Sequence, residues 1–359
     1  LPNHTVPPMQ LRPVELAPLG GPRFVLTVDT EEEFDWSKPF ARAGHGTEHL
    51  KAIPKFQALC ADFGVTPCYL VDFPIVEDPF GVALLGSYAQ AGGAEIGVQL
   101  HPWVNPPFDE ALTPYNSYAC NLPPALERAK LTLLYNAVVS RLGVKPDAYR
   151  AGRYGAGPET TTILRDLGIA IDSSVRARFD YSCQHGPDYS RHPVSPYWLD
   201  TGHVMELPLT TVYAGLMRTV GSRVFGDWFE SNTARALLAR SKLLERIALT
   251  PEGIPLGKAL QAVDIALEEQ VPVINLSLHS PSLAVGYTPY VRNAAQLEEL
   301  YQWLKSVLGH LHTRGVRPTT MAQIKKASGI IQKSEDKDLP VLPKFGYRRA
   351  GDWRAGQGL

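Results

Sequence analysis

Five residues capable of acid–base or metal chemistry recur at one kind of place in this sequence. Asp29 ends the apolar run FVLTVD, His101 ends EIGVQLH, Arg150 lies in DAYRAG, Asp172 ends IAID and His279 ends VINLSLH. Each follows or closes a short run rich in aliphatic residues, which places it near the C-terminal end of an expected strand. Gathered in space, such groups could activate a water, orient a carboxylate and protonate a leaving group. Each also has a plain structural role open to it. Asp29 and Asp172 suit turns or caps, His101 could be a core-edge histidine held by a carbonyl, and Arg150 and Arg153 could pair with surface carboxylates. His279 fits that kind of role least well, because an apolar strand rarely ends on a histidine without a polar task. The run Glu31-Glu32-Glu33 reads as a solvated edge with at most one glutamate facing a site.

The elements needed to bring these residues together alternate along the chain. Strands are expected at FVLTVDT, VTPCYLVDFP, EIGVQLHP, DAYRAGRYG, IAIDSSV, VMELPLTTVY, VINLSLHSPS and VRPTTM. Helices are expected between them, among them PPALERAKLTLLYNAVVSRLG, which has proline at its start and glycine at its end. Alternating strands and helices call for a parallel sheet built of βα units. At least seven such units fit a closed barrel, with active groups on the C-terminal strand ends. A doubly wound open sheet competes, but no GxGxxG follows the first strand. Residues 1–20 read as an extended, proline-rich arm, 21–329 as the barrel and 330–359 as a C-terminal extension. Insertions are expected at 176–200 and 213–258.

Composition narrows the function. A net charge of −1 over 359 residues, with no lysine- or arginine-rich block, argues against nucleic acid or an anionic membrane as partner. No apolar run reaches the ~20 residues of a transmembrane helix. The four cysteines lack CxxC spacing and read as reduced structural thiols, which suits a cytoplasmic location. No HExxH, Walker-type loop or GxSxG occurs, and Ser280 beside His279 does not make a triad. The remaining histidines, including His45, His49, His185, His192, His310 and His312, rank below His101 and His279.

Five motifs in order, TVDT at 27–30, EIGVQLHPW at 95–103, YRAGRYG at 149–155, DSSV at 172–175 and LSLHSPS at 276–282, resemble those of the polysaccharide deacetylase (NodB-homology, carbohydrate esterase) family. The variants TVDTEEEFDW, LHPW, RAGRYG and HSPSL are most similar to its WalW-like subgroup, associated with surface polysaccharides. The resemblance implies an α/β fold, a distorted (β/α)7 barrel with insertions. It also implies a hydrolase acting on C–N amide bonds, which removes an N-acetyl group from an amino sugar of a surface polysaccharide or its precursor. On that pattern Asp29 is the general base, Arg150 orients it, His279 is the general acid and Asp172 holds His279. His101 is a metal ligand, and Tyr154 lends a backbone N–H to the oxyanion. Trp103 and Arg153 are expected to touch a carbohydrate substrate. Trp36, Trp198, Tyr213 and Trp228 could stack on sugar rings, although packing is open to each.

The metal site departs from the family pattern. Thr30 stands where the family has a second aspartate, and Gln99 stands where the other ligand histidine should fall. Residues 99 and 101 share a strand face, and Glu31 shares one with Asp29. Asp29, Glu31, Gln99 and His101 could therefore hold a divalent ion, zinc or another transition metal. A metal-free site using Asp29 and His279 is the alternative. Two other functions stay open at this point: hydrolysis of a non-sugar amide, and carbohydrate binding without catalysis.

Overall fold

The structure, a computed structural model, describes residues 11–35, 38–219, 241 and 243–330. Trp36, Trp228, the first half of the N-terminal arm and nearly all of the C-terminal extension lie outside the described residues. Strands β1 (Arg12–Pro13), β2 (Arg23–Thr30), β3 (Cys68–Val71), β4 (Glu95–Leu100), β5 (Ala148–Ala151), β6 (Ile171–Asp172), β7 (Tyr197–Trp198), β8 (Met205–Glu206) and β11 (Val273–His279) form one sheet. Its order is β1-β7-β8-β6-β5-β4-β3-β2-β11, with β12 (Arg317–Pro318) beside β2. From β8 through β6, β5, β4, β3 and β2 to β11 every pairing is parallel. Those are the seven strands expected of the barrel.

The two ends of the parallel series approach each other without forming a ladder. Thr210 N donates to Asn275 O at 3.2 Å, Leu249 N to Thr210 O at 3.0 Å and Ser277 N to Leu249 O at 3.3 Å. Single bonds of this kind draw the segment after β8 against β11 and give the barrel its distortion. The run VMELPLTTVY, expected as one strand, divides for a related reason. Pro208 lacks the N–H a ladder needs. The chain therefore leaves β8 at Glu206 and re-enters extended structure as β9 (Thr211–Ala214), antiparallel to β10 (Glu245–Ala248) in a separate two-stranded sheet.

Helices α1 (Ile53–Asp62), α3 (Pro79–Gln90), α4 (Pro124–Leu142) and α5 (Pro158–Leu167) connect successive parallel strands. They bury Phe56, Leu85, Leu131, Leu134 and Ile163 against the sheet. Between β3 and α3 a short helix, α2 (Phe73–Glu77), starts where the second strand was expected to continue; Asp72 caps it by accepting the Ile75 N–H. Helices α6 (Leu256–Glu268), α7 (Ala294–Thr313) and α8 (Met321–Ser328) complete the described chain. Residues 12–16 of the arm dock on the barrel: β1 pairs with β7, and Val14 and Leu16 are buried. Among the described residues no helix is long and apolar enough to cross a membrane.

One buried cation sets the path of the loop that leaves β4. Lys130 of α4 is fully buried and donates to the carbonyls of Pro102 (3.0 Å), Asn105 (2.6 Å) and Pro107 (2.6 Å). Its Nζ also lies 3.1 Å from Glu110 Oε1. The charge satisfies carbonyls that no regular ladder could reach, and so it anchors the segment beginning at His101. Lys130→Met leaves these acceptors and Glu110 buried without their cation. We expect a loss of about 3–5 kcal/mol, read as a lowered midpoint in denaturant unfolding.

Candidate functional site

The C-terminal ends of β2, β4, β5 and β11 bring Asp29, His101, Arg150 and His279 to one mouth, with the ladder setting His279 directly opposite Asp29. Arg150, fully buried, ion-pairs through Nη1 with Asp29 Oδ1. Its remaining donors go to Ser173 O (2.8 Å), Thr27 Oγ1 (3.0 Å) and Ser173 Oγ (3.0 Å). Asn275 adds a bond to Ser173 Oγ at 2.9 Å. A hydrogen-bonded polar layer thus underlies the site, where an ordinary barrel interior would be packed with branched aliphatic side chains. It fixes the Asp29 carboxylate and supplies its counter-charge.

His279 Nε2 lies 3.6 Å from the other Asp29 oxygen, Oδ2. Its Nδ1 is 2.6 Å from Glu252 Oε2, and the His279 N–H is donated to Glu252 Oε1 at 3.1 Å. Ser282 Oγ holds that same Oε1 at 2.6 Å. Burial works against a charged imidazole here, but Glu252, with Glu31 and Asp29 behind it, outweighs burial and raises His279 to about 10. For Glu252, burial is outweighed by His279, and its carboxyl is held below the usual range.

This geometry corrects one assignment. Asp172 does not hold His279; its carboxylate accepts the Ser174 N–H (3.0 Å) and the Ser174 hydroxyl, and burial raises it to about 7. The partner of His279 is Glu252, in the turn after β10. Nothing in the sequence marked it, because LTPEGIP has the composition of any turn.

The three consecutive glutamates are all engaged, which overturns the expectation of a solvated edge. Glu32 is fully buried and accepts from Trp103 Nε1 at 2.7 Å, with its Oε2 2.8 Å from His101 Nδ1. With Nδ1 donating to Glu32, Nε2 is the acceptor, and it faces the Gln99 side-chain amide nitrogen at 3.3 Å. The Trp103 ring stacks on His101 at 4.3 Å between centroids and is 1% exposed, so Trp103 braces the histidine and does not meet a sugar. On its other side His101 is packed against Gly152: a Cβ there would come within 2.1 Å of His101 Cδ2. Glu33 accepts the His49 N–H at 2.8 Å and lies 3.2 Å from His49 Nδ1, while His49 Nε2 is 2.8 Å from Ser280 Oγ. Ser280, His49 and Glu33 have the atom order of a nucleophilic triad, but Ser280 is fully buried and also accepts the Glu31 N–H at 3.4 Å. They hold the strand-end loop in place.

Of the remaining expected site residues, Tyr154 lines the cavity beside His279. Arg153 bonds Ser117 Oγ (2.6 Å) and Gln184 Oε1 (2.9 Å) and lies over Tyr118, so it braces rim loops. Tyr213 is buried and stacked by Arg178, and Trp198 carries Arg12.

Glu31 is where a cation fits. Its Oε2 lies 3.5 Å from His101 Nε2, and potential ligand atoms of Glu31, Asp29 and His279, two carboxylate oxygens and a ring nitrogen, lie within 4.8 Å of one another. Two ligands about 2.1 Å from one ion lie roughly 3.0–3.4 Å apart at octahedral or tetrahedral angles. Burial raises Glu31 to about 8, the state of a carboxylate without a matching charge. Gln99 donates to Glu31 Oε2 at 3.2 Å, while its Oε1 is buried with no hydrogen-bond partner. Turning that amide over would place an oxygen on the Glu31–His101 side. Thr30 takes no part, since its hydroxyl donates to Val28 O at 2.9 Å. Glu31 Oε2 and His101 Nε2 are thus spaced as two ligands of one divalent ion would be, and the group of three potential ligands that contains Glu31 is completed by Asp29 and His279. A second group of potential ligands, Glu32, Asp72 and His101, is a hydrogen-bonded support. Asp72 is occupied by the Glu32 and Ile75 N–H groups.

No family model matches the chain, and no curated protein matches it. Solved structures do. A Mycobacterium smegmatis chain assigned as a polysaccharide deacetylase is 18% identical, covers 86% of this chain and 96% of its own, and has a TM-score of 0.43. A family 4 acetyl xylan esterase from Clostridium thermocellum, in complex with a cobalt ion, is 12% identical over 86% and 92%, with a TM-score of 0.42. The allantoinase PuuE is 12% identical over 85% and 88%, with a TM-score of 0.47. Superpositions this loose carry no argument for activity, so the function rests on the chain's own residues.

Three outcomes test the site. Glu252→Gln removes the main support of the His279 charge, so the alkaline limb of kcat/KM, expected near pH 10 in the wild type, should move at least about one pH unit toward neutrality. Stability should follow the same group. With His279 raised from 6.5 to about 10, its contribution is complete below pH 6.5 and fades as pH rises through 10. A melting temperature measured across that window should fall less in Glu252→Gln. For the cation, Glu31→Gln and His101→Gln should each lower bound divalent metal, counted by elemental analysis, by at least about tenfold.

Proposed function

We propose that the protein is a hydrolase that removes an acyl group, N-acetyl in the first case, from an amino sugar of a surface glycan or its precursor. The observation that carries this reading is a base and an acid held face to face at the mouth, each with its own counter-charge. Asp29 is paired with Arg150, and His279 is paired with Glu252. Amide hydrolysis needs that division, since one group must take a proton from water while another gives one to the departing nitrogen.

Asp29 accepts a proton from a water positioned at the mouth as the oxygen adds to the acyl carbon. Arg150 holds the carboxylate oriented for that transfer. When the C–N bond of the tetrahedral intermediate breaks, Nε2–H of His279 passes its proton to the nitrogen, and Glu252 stabilises the imidazolium until then. The products are a carboxylic acid and a free amine, and the two side chains return to their starting states after proton exchange with solvent. A divalent ion bound at Glu31 and His101 would supply polarisation of the acyl oxygen and acidification of the water. Zinc suits the imidazole, while the oxygen-rich remainder admits a harder ion.

The test is acetate release from N-acetylglucosamine oligomers. Asp29→Asn and His279→Ala should each lower kcat by about 10²-fold or more, with far-UV circular dichroism retained, while Asp29→Asn, which leaves the buried Arg150 unpaired, should also lower the melting temperature. Undiminished turnover in either variant would overturn the assignment. Binding of the oligomer with no acetate released by the metal-loaded wild type would show a carbohydrate-binding protein instead.

A further inference from the structure

The cavity beside His279 contains a cation that the proposed chemistry leaves unused. Its volume is about 70 Å³, and its lining includes Tyr154, Arg176, Leu209, Glu252, His279 and Tyr290. Arg176 follows β6 and is held beside Leu209 by an isolated parallel bridge. Its guanidinium carbon lies 4.1 Å from the Phe179 ring centroid and 5.5 Å from that of Tyr154. Among the described residues the guanidinium makes one hydrogen bond, a long one of 3.5 Å to Tyr181 Oη, and no ion pair.

The nearby acids are held by other partners, although the charge of Glu252 acts on Arg176 through space. Asp29 is matched by Arg150, and Glu252 by His279, with Ser282 on the oxygen Oε1. Glu252 lines the same cavity yet forms no ion pair with Arg176. A guanidinium is always charged, and stacking on an aromatic ring fixes its plane while leaving edge N–H donors free. Two parallel donors in a fixed plane match a carboxylate. A partly buried cation with few partners is costly for a fold to keep unless something returns the charge.

We propose that Arg176 is a recognition site for a carboxylate carried by the substrate close to the scissile bond. The proposal rests on the hydrolase reading and narrows its substrate to acidic compounds. The carboxylate could belong to a uronic acid next to the amino sugar or to a dicarboxylic acyl group on the nitrogen. Both present the same planar anion to the same donors.

Binding is read on Asp29→Asn protein, so that it does not depend on turnover, with ligand-observed NMR titrations. The probes are a glucuronate–N-acetylglucosamine tetrasaccharide against a neutral N-acetylglucosamine tetramer, and N-succinylglucosamine against N-acetylglucosamine. At least one acidic probe should bind about tenfold or more tightly than its neutral counterpart, and which one does identifies the side that carries the charge. The preference should shrink with added salt and fall to about one in Asp29→Asn/Arg176→Gln. If that variant does not fold, Asp29→Asn/Arg176→Lys, which keeps the charge and loses the fork, should lower the preference several-fold. Equal binding of both members in both pairs overturns the proposal, as does a preference that survives loss of Arg176. Acyl release from the wild type is measured in parallel. Acidic preference without release from any probe overturns the hydrolase reading alone, and release without acidic preference overturns the Arg176 site alone.

Discussion

The ion pair between Arg150 and Asp29 is the interaction on which the rest of the site depends. A guanidinium in a barrel interior is tolerable only if its donors are satisfied and its charge is met. Both conditions are fulfilled by residues from separate strands: Asp29 and Thr27 of β2, and Ser173 just past β6. Asn275 of β11 closes the network through Ser173 and Leu207 O. The pair therefore fixes how these strands meet at the mouth as well as the direction of the Asp29 carboxylate. Removal of either charge would leave the other buried and unpaired, so the orientation of Asp29 and the packing of these strands rest on the same contact.

Around that pair, each reactive side chain is positioned by a second group that never needs to meet a substrate. Glu252 and Ser282 hold His279, Glu32 and Trp103 hold His101, and the Glu33–His49–Ser280 chain holds the backbone at Glu31. Consecutive residues in an extended segment project to different sides. One acidic run can therefore serve three neighbours: Glu31 reaches Gln99, Glu32 reaches Trp103 and His101, and Glu33 reaches His49. What looks like redundancy in the sequence is a division of tasks in space.

The strand ends were legible because aliphatic runs of strand length are local signals, and a polar residue closing such a run stands out. Asp29, His101, Arg150 and His279 were all visible in that way, as was the count of parallel strands. The supporting groups were not. Glu252 is 27 positions from His279, in a turn whose composition says only that the chain bends there. His49 and Ser280 are 231 positions apart, and neither has a neighbouring motif to draw attention to it. Asp172 shows the opposite failure. It closes a strand as the others do, yet Ser174 two residues later provides a closer partner than any histidine across the barrel. Trp103 misled through its type, since an aromatic beside a histidine at a strand end suits a sugar platform as well as a packing brace.

Position 30 brings no charge to the mouth, and the carboxylate there comes from the next residue. Thr30 turns its hydroxyl back to the Val28 carbonyl, and a carboxylate there would face away from Asp29 by strand alternation. Glu31 lies one residue further on, with a side chain one methylene longer than aspartate, and it comes to 3.5 Å from His101 Nε2. The anionic charge that Glu31 brings when ionised is large for so buried a position, and desolvation opposes it. The imidazoles of His279 and His101 offset part of that opposition, and a cation placed between Glu31 and His101 would offset more of it.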